Sequence, residues 1–313
     1  MKFAFVIDPV SKLKAYKDSS VAMMREAAQR GHQIYVLRQQ DLLLRDQQVL
    51  AFAKSLRVSK DNASWFELSA ATVTSLAMFD AVLMRKDPPF DTEYLYTTHL
   101  LELAVAQGAR VFNRPAALRD FNEKLAIARF PQFTVPTLVS RRADVIKAFI
   151  AEYQDVILKP LDGMGGAGIF RVSHEGVNLN VIIETLTQLE TRTIMAQRYI
   201  PAISAGDKRI LLINGEPVPY ALARIPAKGE TRGNLAAGGR GVAQPLSVRD
   251  REIATTLGSE LRELGLFLVG LDVIGDYLTE INVTSPTGLV EISQQTDCNV
   301  AGMLIDALEQ QCG

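Results

Sequence analysis

Residues Phe267 to Val283 read FLVGLDVIGDYLTEINV, two apolar runs around Gly275-Asp276 interrupted by three oxygen-bearing side chains, Asp272, Glu280 and Asn282. Glu280 and Asn282 are two apart, so a strand points both to one face. Asp272 joins that face only if the hairpin register sets it opposite Glu280. A three-residue loop at Gly275 to Tyr277 gives that register, whereas a two-residue loop sends Asp272 to the other side. Two carboxylates and an amide are hard oxygen donors of the kind Mg²⁺ takes while bridging substrate phosphates. The plainer alternative is a set of solvated or ordinary strand polars. Acidic groups flanked by Leu, Ile and Val are costly without a cation or other partners, which favours metal.

A second constellation lies upstream. Val156 to Phe170 reads VILKPLDGMGGAGIF, in which Gly163, Gly165 and Gly168 satisfy a G-x-G-x-x-G spacing and Gly166 adds a fourth glycine. A dinucleotide-binding turn needs a helix starting in the loop. Here Ile169, Phe170, Arg171 and Val172 follow instead, an aromatic and β-branched run that favours a strand. Strand, glycine loop, strand describes a flap whose backbone N–H groups can close over phosphate oxygens, or else a glycine-rich surface turn. Lys159, on the strand entering it, places a point charge against the same phosphates. No G-x-x-x-x-G-K-[ST] occurs, so a P-loop is excluded.

Arg224 to Pro245, RIPAKGETRGNLAAGGRGVAQP, carries five glycines and four basic side chains with almost no apolar pattern. So long a connection is functional or a mobile linker. Arginines on such a loop suit a lid that shuts over an anionic intermediate and keeps water from it. Arg209 and Arg224 sit at opposite ends of a strand–turn–strand unit around Asn214-Gly215-Glu216 and could both face an anionic substrate, or each be a solvated charge.

These groups need a frame. Phe3 to Ile7 reads as a buried strand; Asp18-Ser19-Ser20 offers N-cap oxygens to a helix that Gly31 closes; Ile34 to Leu37 is the next strand. A second cycle runs through Ala81 to Met84 (strand), Thr92 to Gln107 (helix) and Arg110 to Phe112 (strand). This βαβ alternation predicts a parallel sheet covered by helices. Residues 41–76 are less periodic and stay unassigned. A helix is expected over Pro115 to Arg129, then a change of texture, with a boundary near residue 123. Beyond it come strands joined by glycine-rich loops, with helices near Asp144 to Tyr153, Asn180 to Leu189 and Val248 to Leu264.

Composition sets the outer limits. The 313 residues exceed one core's usual reach, so two or three lobes are expected. A net charge of −1 gives no basic footprint for nucleic acid. The first apolar run is too short for a signal-peptide core or a membrane span, and Cys298 and Cys312 have no metal-ligand spacing, so a reducing, cytoplasmic compartment is expected. His32, His99 and His174 have no triad or ligand spacing, and catalytic histidine is not expected.

Lysine before a glycine loop, a basic lid and an Asp…Glu-x-Asn hairpin resemble the ATP-grasp carboxylate–amine ligases. Four stretches are similar to the bacterial glutathione synthetases among them: Met84 to Glu93, Leu158 to Val172, Gly229 to Gly241 and Leu278 to Gly288. The likeness is weakest around Gln40 to Thr74 and after Glu291. It implies an α/β architecture: an N-terminal Rossmann-like parallel-sheet lobe over residues 1–123, then an ATP-grasp fold of two antiparallel α+β subdomains over 124–313. Within the latter it implies a middle lobe to about residue 200 carrying the flap, and a C-terminal lobe carrying the lid and metal hairpin.

By resemblance, Lys124 and Lys159 bind ATP phosphates under Gly163, Gly165, Gly166 and Gly168. Gln197, Tyr199 and Ile200 meet the adenine, and Asp207 holds the ribose. Asp272, Glu280 and Asn282 hold two Mg²⁺ ions, with Mn²⁺ as a substitute. Arg209, Arg224, Asn282, Ser285, Pro286 and Thr287 hold the substrate carboxylate, and Asp18, Ser19, Arg85 and Lys86 contact the dipeptide. Arg209, Arg224, Arg232 and Gly239 are the expected catalytic positions. The implied substrates are ATP, γ-glutamylcysteine and glycine, without nucleic acid or membrane, in a homo-oligomer, a tetramer by the same likeness. Residue physics alone leaves two alternatives: a ligase of the same fold with another acceptor or dipeptide, and a regulatory module that binds ATP without chemistry.

Overall fold

In the computed structural model the described residues are 1–313 except 228, 231, 234, 236 and 237. The first lobe is built on β1 (Lys2–Val6), whose residues from Phe3 onward are wholly buried, as expected of a strand covered on both faces. The chain leaves it through α1 (Ser19–Gln29) and returns as β2 (Gln33–Leu37), parallel to β1. Asp18 caps α1, its Oδ1 accepting from the backbone N–H of Ser20 at 2.8 Å and of Val21 at 3.0 Å.

The unassigned region is an antiparallel extension: β3 (Leu42–Arg45), β4 (Gln48–Val58), β5 (Phe66–Leu68) and β6 (Thr72–Ser75). Strand β4 pairs with β2, β3, β5 and β6. Its buried Val49, Ala51 and Ala53 alternate with more exposed positions, but those include the apolar Leu50 and Phe52, which blurs the period, and β3, β5 and β6 are too short to announce themselves by period. The parallel core resumes at β7 (Ala81–Met84), passes through α2 (Thr92–Ala106) and ends at β8 (Val111–Phe112).

The helix expected over Pro115 to Arg129 is two pieces. Helix α3 (Pro115–Asp120) stops, and a 3₁₀ turn occupies Leu125–Arg129. Between them, Asn122 Oδ1 accepts from the N–H of Lys124 at 3.1 Å and of Leu125 at 2.9 Å. The Glu123 carbonyl accepts the Ile281 N–H at 2.8 Å. Local caps and a strand edge thus outcompete the helical ladder, and Glu123 and Lys124 are drawn toward the hairpin.

Beyond lies an antiparallel sheet of β9 (Thr137–Ser140), β10 (Asp155–Pro160), β11 (Phe170–Ser173) and β12 (Ile194–Arg198), in the order β11-β10-β12-β9. Helices α4 (Ala143–Tyr153) and α5 (Leu179–Thr187) cover it. Most of its core is its own, with Ile146, Ile150, Val156, Leu158, Ile183 and Ile194 packed together, while Met195 and Val139 join the core of the other sheets. The third sheet is β13 (Asp207–Ile213), β14 (Glu216–Ile225), β15 (Arg240–Pro245), β16 (Leu268–Ile274) and β17 (Tyr277–Asn282), in the order β15-β14-β13-β16-β17. Helix α6 (Val248–Glu263) packs on it, and α7 (Leu289–Gln295) and α8 (Val300–Cys312) complete the chain.

Helix α8 returns to α1, where Arg30 pairs with Asp306 at 2.5 Å and His32 with Glu309 at 2.6 Å. The N-terminal and C-terminal sheets therefore share apolar core, and the middle sheet stands opposite them across a cleft. No helix among the described residues is long and apolar enough to cross a membrane. Cys298 and Cys312 are both free thiols.

Candidate active site

The hairpin of β16 and β17 has the register that puts Asp272 opposite Glu280, but by a different device from a three-residue loop. Ile274 pairs with Tyr277 around a two-residue turn, and the register then slips between Asp272 and Val273. Thr279 is the extra residue of this bulge. It is used twice: its hydroxyl donates to the Asp272 carbonyl at 3.1 Å, and its own carbonyl accepts Lys159 Nζ at 3.3 Å.

Asp272 and Glu280 each collect cations from a different sheet or loop. Arg209, from β13, donates through Nε to Asp272 Oδ1 at 2.6 Å and through a terminal nitrogen to Oδ2 at 3.1 Å. Arg224, from β14, reaches Asp272 Oδ2 at 2.9 Å and Asp207 Oδ2 at 2.5 Å. Lys124 lies 3.5 Å and Lys159 4.0 Å from Glu280 Oε1. Lys124 also donates to the Gly163 carbonyl at 2.7 Å, fixing the entry to the glycine loop.

Burial sets the protonation balance. It would lift Asp272, but Arg209 and Arg224 overcome it and hold that carboxyl below the ordinary range. Burial pushes Asp207 up to about 7 against the pull of Arg224, and draws Lys159 down to about 8 against the pull of Glu280. Such displaced pairs cluster where charge is handled.

Two cavities meet at this hairpin. One, of about 210 Å³, is lined by Lys124, Gly163, Gly165, Gly166, Arg209 and Arg224, and by Asn282 with Ser285, Pro286 and Thr287. The other, of about 90 Å³, is lined by Lys159, Gln197, Tyr199, Ile200, Asp207 and Arg232. Asp272, Glu280 and Ile169 border both. Gly163 has no room for a side chain, since a Cβ there would stand 2.9 Å from Pro160 Cγ. Asn282 donates its Nδ2 to the Gly270 carbonyl at 3.1 Å, which leaves its amide oxygen for the cavity. Two carboxylates bordering both cavities and an amide oxygen bordering the larger one fit a hard divalent cation.

The other expected positions divide. Arg85 is buried behind the Ser285–Thr287 turn, donating to the Pro286 carbonyl at 3.0 Å and to Ser20 Oγ at 3.1 Å, with its remaining terminal nitrogen unpartnered among the described residues. Asp18 is spent on the α1 cap, and Ser19 is buried with a hydroxyl unpartnered among the described residues. Lys86 pairs with Asp8 at 3.3 Å. Asp18, Ser19, Arg85, Lys86, Gly168 and Gly239 do not line the two cavities. From the lid, Arg232 reaches the Gly166 carbonyl at 3.4 Å, joining lid to flap. Lys228 of the same segment lies outside the described residues.

Sequence reading missed three contributors. Glu123 borders the larger cavity; Gly270 permits the close approach of Arg209 and Pro286; Thr279 makes the bulge. A glycine inside an apolar strand was a usable signal for Gly270. Nothing local marked the other two.

Comparison with known proteins identifies the family. Residues 123–297 match "Prokaryotic glutathione synthetase, ATP-grasp domain", and residues 1–119 match "Prokaryotic glutathione synthetase, N-terminal domain". The chain belongs to the prokaryotic glutathione synthetase family. A protein of Nitrosomonas europaea named glutathione synthetase is 63% identical over 313 residues, covering 99% of this chain and 98% of that one. One of Pseudomonas aeruginosa with the same name is 56% identical over 311 residues, covering 99% and 98%.

Among solved structures, the D-cycloserine synthetase DcsG superposes with a TM-score of 0.70 at 16% identity, covering 100% of both chains. The ATP-grasp ligase PsnB, complexed with minimal precursor, Mg and ADP, gives 0.63 at 18%, covering 99% and 98%. These distant likenesses establish the ATP-grasp fold. Membership of the glutathione synthetase family makes the chain an ATP-dependent ligase, whose chemistry implies a divalent metal.

Proposed function

We propose that this chain joins γ-glutamylcysteine to glycine at the expense of ATP, through an acyl phosphate, and releases ADP and phosphate. One observation supports it most: two lysines meet at Glu280 and two arginines at Asp272, on neighbouring strands bordering a shared cleft. Such a site gathers an anionic nucleotide tail beside an anionic carboxylate, which is what carboxylate activation requires.

In this reading the smaller cavity takes the nucleoside, with Gln197, Tyr199 and Ile200 at the base and Asp207 at the ribose. Lys124 and Lys159 attract the phosphates, and Gly163, Gly165, Gly166 and Gly168 lay backbone N–H groups over them. Asp272, Glu280 and Asn282 hold two Mg²⁺ ions, or Mn²⁺ in their place. When bound, the metal supplies positive charge to the phosphate oxygens during transfer. The cysteinyl carboxylate oxygen bonds to the γ-phosphorus while the β–γ bridge breaks and ADP departs. The glycine ammonium loses one proton to solvent, its freed amine bonds to the acyl carbon, and the acyl carbon–oxygen bond breaks as phosphate leaves with the second proton.

Arg209 and Arg224 orient the carboxylate and then the tetrahedral oxyanion, sharing their donors between Asp272 and substrate. The Ser285-Pro286-Thr287 turn, backed by Arg85, shapes the dipeptide end together with Asp18, Ser19 and Lys86. Arg232 and Gly239, on the lid, keep water from the acyl phosphate. The reading extends to a boundary near residue 123 between a substrate lobe and an ATP-grasp unit, to a cytoplasmic homo-oligomer, and to tetrameric assembly.

ADP release measured with ATP·Mg²⁺, γ-glutamylcysteine and glycine, each omitted in turn, tests the reaction. Sustained release requires both amino-acid substrates. Release with another acceptor alone, or tight ATP binding with no release, would overturn it.

A further inference from the structure

The larger cavity borders on four carboxylates, Asp87, Glu123, Asp272 and Glu280, and three of them have a clear condition. Asp272 is taken by two arginines and Glu280 by two lysines. Asp87 is exposed at the rim. Glu123 differs from all three. Its Oε1 is anchored to the turn after β17, accepting the Thr284 hydroxyl at 2.8 Å, the Val283 N–H at 3.3 Å and the Thr284 N–H at 3.4 Å. Its Oε2 has no hydrogen-bond partner among the described residues, and it forms no ion pair with them. Oε2 is not fully buried, and Glu123 borders both this cavity and an adjoining one lined by Pro88, Phe90, Asn122 and Thr284.

We infer that Glu123 receives the ammonium of the acceptor amino acid through Oε2, beside the turn that shapes the carboxylate end. This rests on the proposed ligation. Its acceptor arrives as an ammonium at neutral pH and needs one anion left free by the phosphate-binding cations. Everything else facing that cavity with a full negative charge is either matched or wet. The anchoring of Oε1 holds the carboxylate still, so the acceptor nitrogen is positioned rather than merely attracted. Burial lifts this carboxyl above the ordinary glutamate value against the Thr284 hydroxyl, and a docked ammonium would offset that burial by favouring the charged form.

Glu123→Gln preserves the shape and the Oε1 acceptor but removes the charge. Glycine KM is expected to rise roughly ten- to hundred-fold, as for loss of a charge-assisted hydrogen bond. Two quantities should stay within about twofold of the parent: ATP affinity, and positional isotope exchange in ATP labelled at the β–γ bridge, followed with γ-glutamylcysteine and no glycine. That exchange reports acyl-phosphate formation without the acceptor. An unchanged glycine KM overturns the assignment, as does a fall in exchange that matches the loss in overall rate. Thr284→Val, which keeps the charge and loosens its anchor, should raise glycine KM less than Glu123→Gln; an equal or larger rise overturns the charge-based role.

Should Glu123→Gln fail to fold, Glu123→Asp keeps the charge but retracts it. It should raise glycine KM with exchange intact, and loss of exchange there overturns the role. If the unaltered protein releases ADP only with a different amine, the proposed reaction fails. The same comparison run with that amine still decides the role of Glu123.

Discussion

Asp272 and Glu280 stand directly opposite each other across β16 and β17, yet each is neutralised from a different side of the cleft. Asp272 is 3% exposed and serves two buried arginines, whereas Glu280 is 20% exposed and borders open cavity. Asp272→Asn leaves Arg209 and Arg224 buried with too little negative charge, and should cost about 3–5 kcal/mol in urea unfolding. Glu280→Gln should cost only about 1–2 kcal/mol, because Lys124 keeps the Gly163 carbonyl and Lys159 the Thr279 carbonyl. Titration calorimetry of ATP·Mg²⁺ should nonetheless show the Glu280 variant losing nucleotide affinity. Unchanged affinity and unchanged turnover would remove Glu280 from the metal site.

Arg224 belongs to both cavities through its two carboxylate partners, but it lines only the larger one. Its proposed work is on charge that appears during reaction. Arg224→Ala should therefore lower kcat about 10²- to 10³-fold, the scale seen when an oxyanion donor is removed. ATP affinity, read by equilibrium binding, should change far less. A turnover equal to the parent's, or parallel loss of binding and turnover, would refute the assignment.

Gly270 pairs with Asn282 in the hairpin and lies under the arginine that grips Asp272. A Cβ there would stand 2.8 Å from Arg209 Cδ and 3.0 Å from Pro286 Cβ. Gly270→Ala thus pushes apart an arginine and a turn without altering a single charge. Overpacking of this kind costs about 1–3 kcal/mol, and the displaced guanidinium should lower kcat by about tenfold or more. Full activity with full stability would mean that this contact does not set the site's geometry.

The βαβ strands were legible because a parallel strand buried on both faces is a continuous apolar run, as in Phe3 to Val6 and Ala81 to Met84. The glycine loop and the lid were legible because few backbones need so many glycines together. Residues 41–76 were not, since β3, β5 and β6 take their order from pairing with β4. The break at Phe121–Lys124 was illegible for a similar reason: beside the local Asn122 cap, it depends on the edge of β17, far along the chain. The hairpin shows the same divide. Its oxygen donors could be named from spacing, but the two-residue turn and the Thr279 bulge offset one another, so loop length alone described the wrong device.

Lys159 gives a pH signature opposite in sense to that of a stabilising ion pair. Burial draws its folded-state pKa down to about 8, against an ordinary value of 10.5 in the unfolded chain. Below pH 8 both states hold the proton, and the folded state bears the full cost of a buried charge. Between about 8 and 10.5 the folded state sheds its proton first, the unfolded state binds more protons, and stability rises with pH. Lys159→Met removes the charge with little change of volume. At pH 7, without nucleotide or metal, it should be about 2–3 kcal/mol more stable than the parent in urea unfolding. That advantage should shrink steadily as pH rises through the window from 8 toward 10.5. The same variant should bind ATP poorly at pH 7, because the charge that burdens the empty fold is the one proposed to meet the phosphates. An advantage that does not change with pH would show that the ammonium is not desolvated in the cleft.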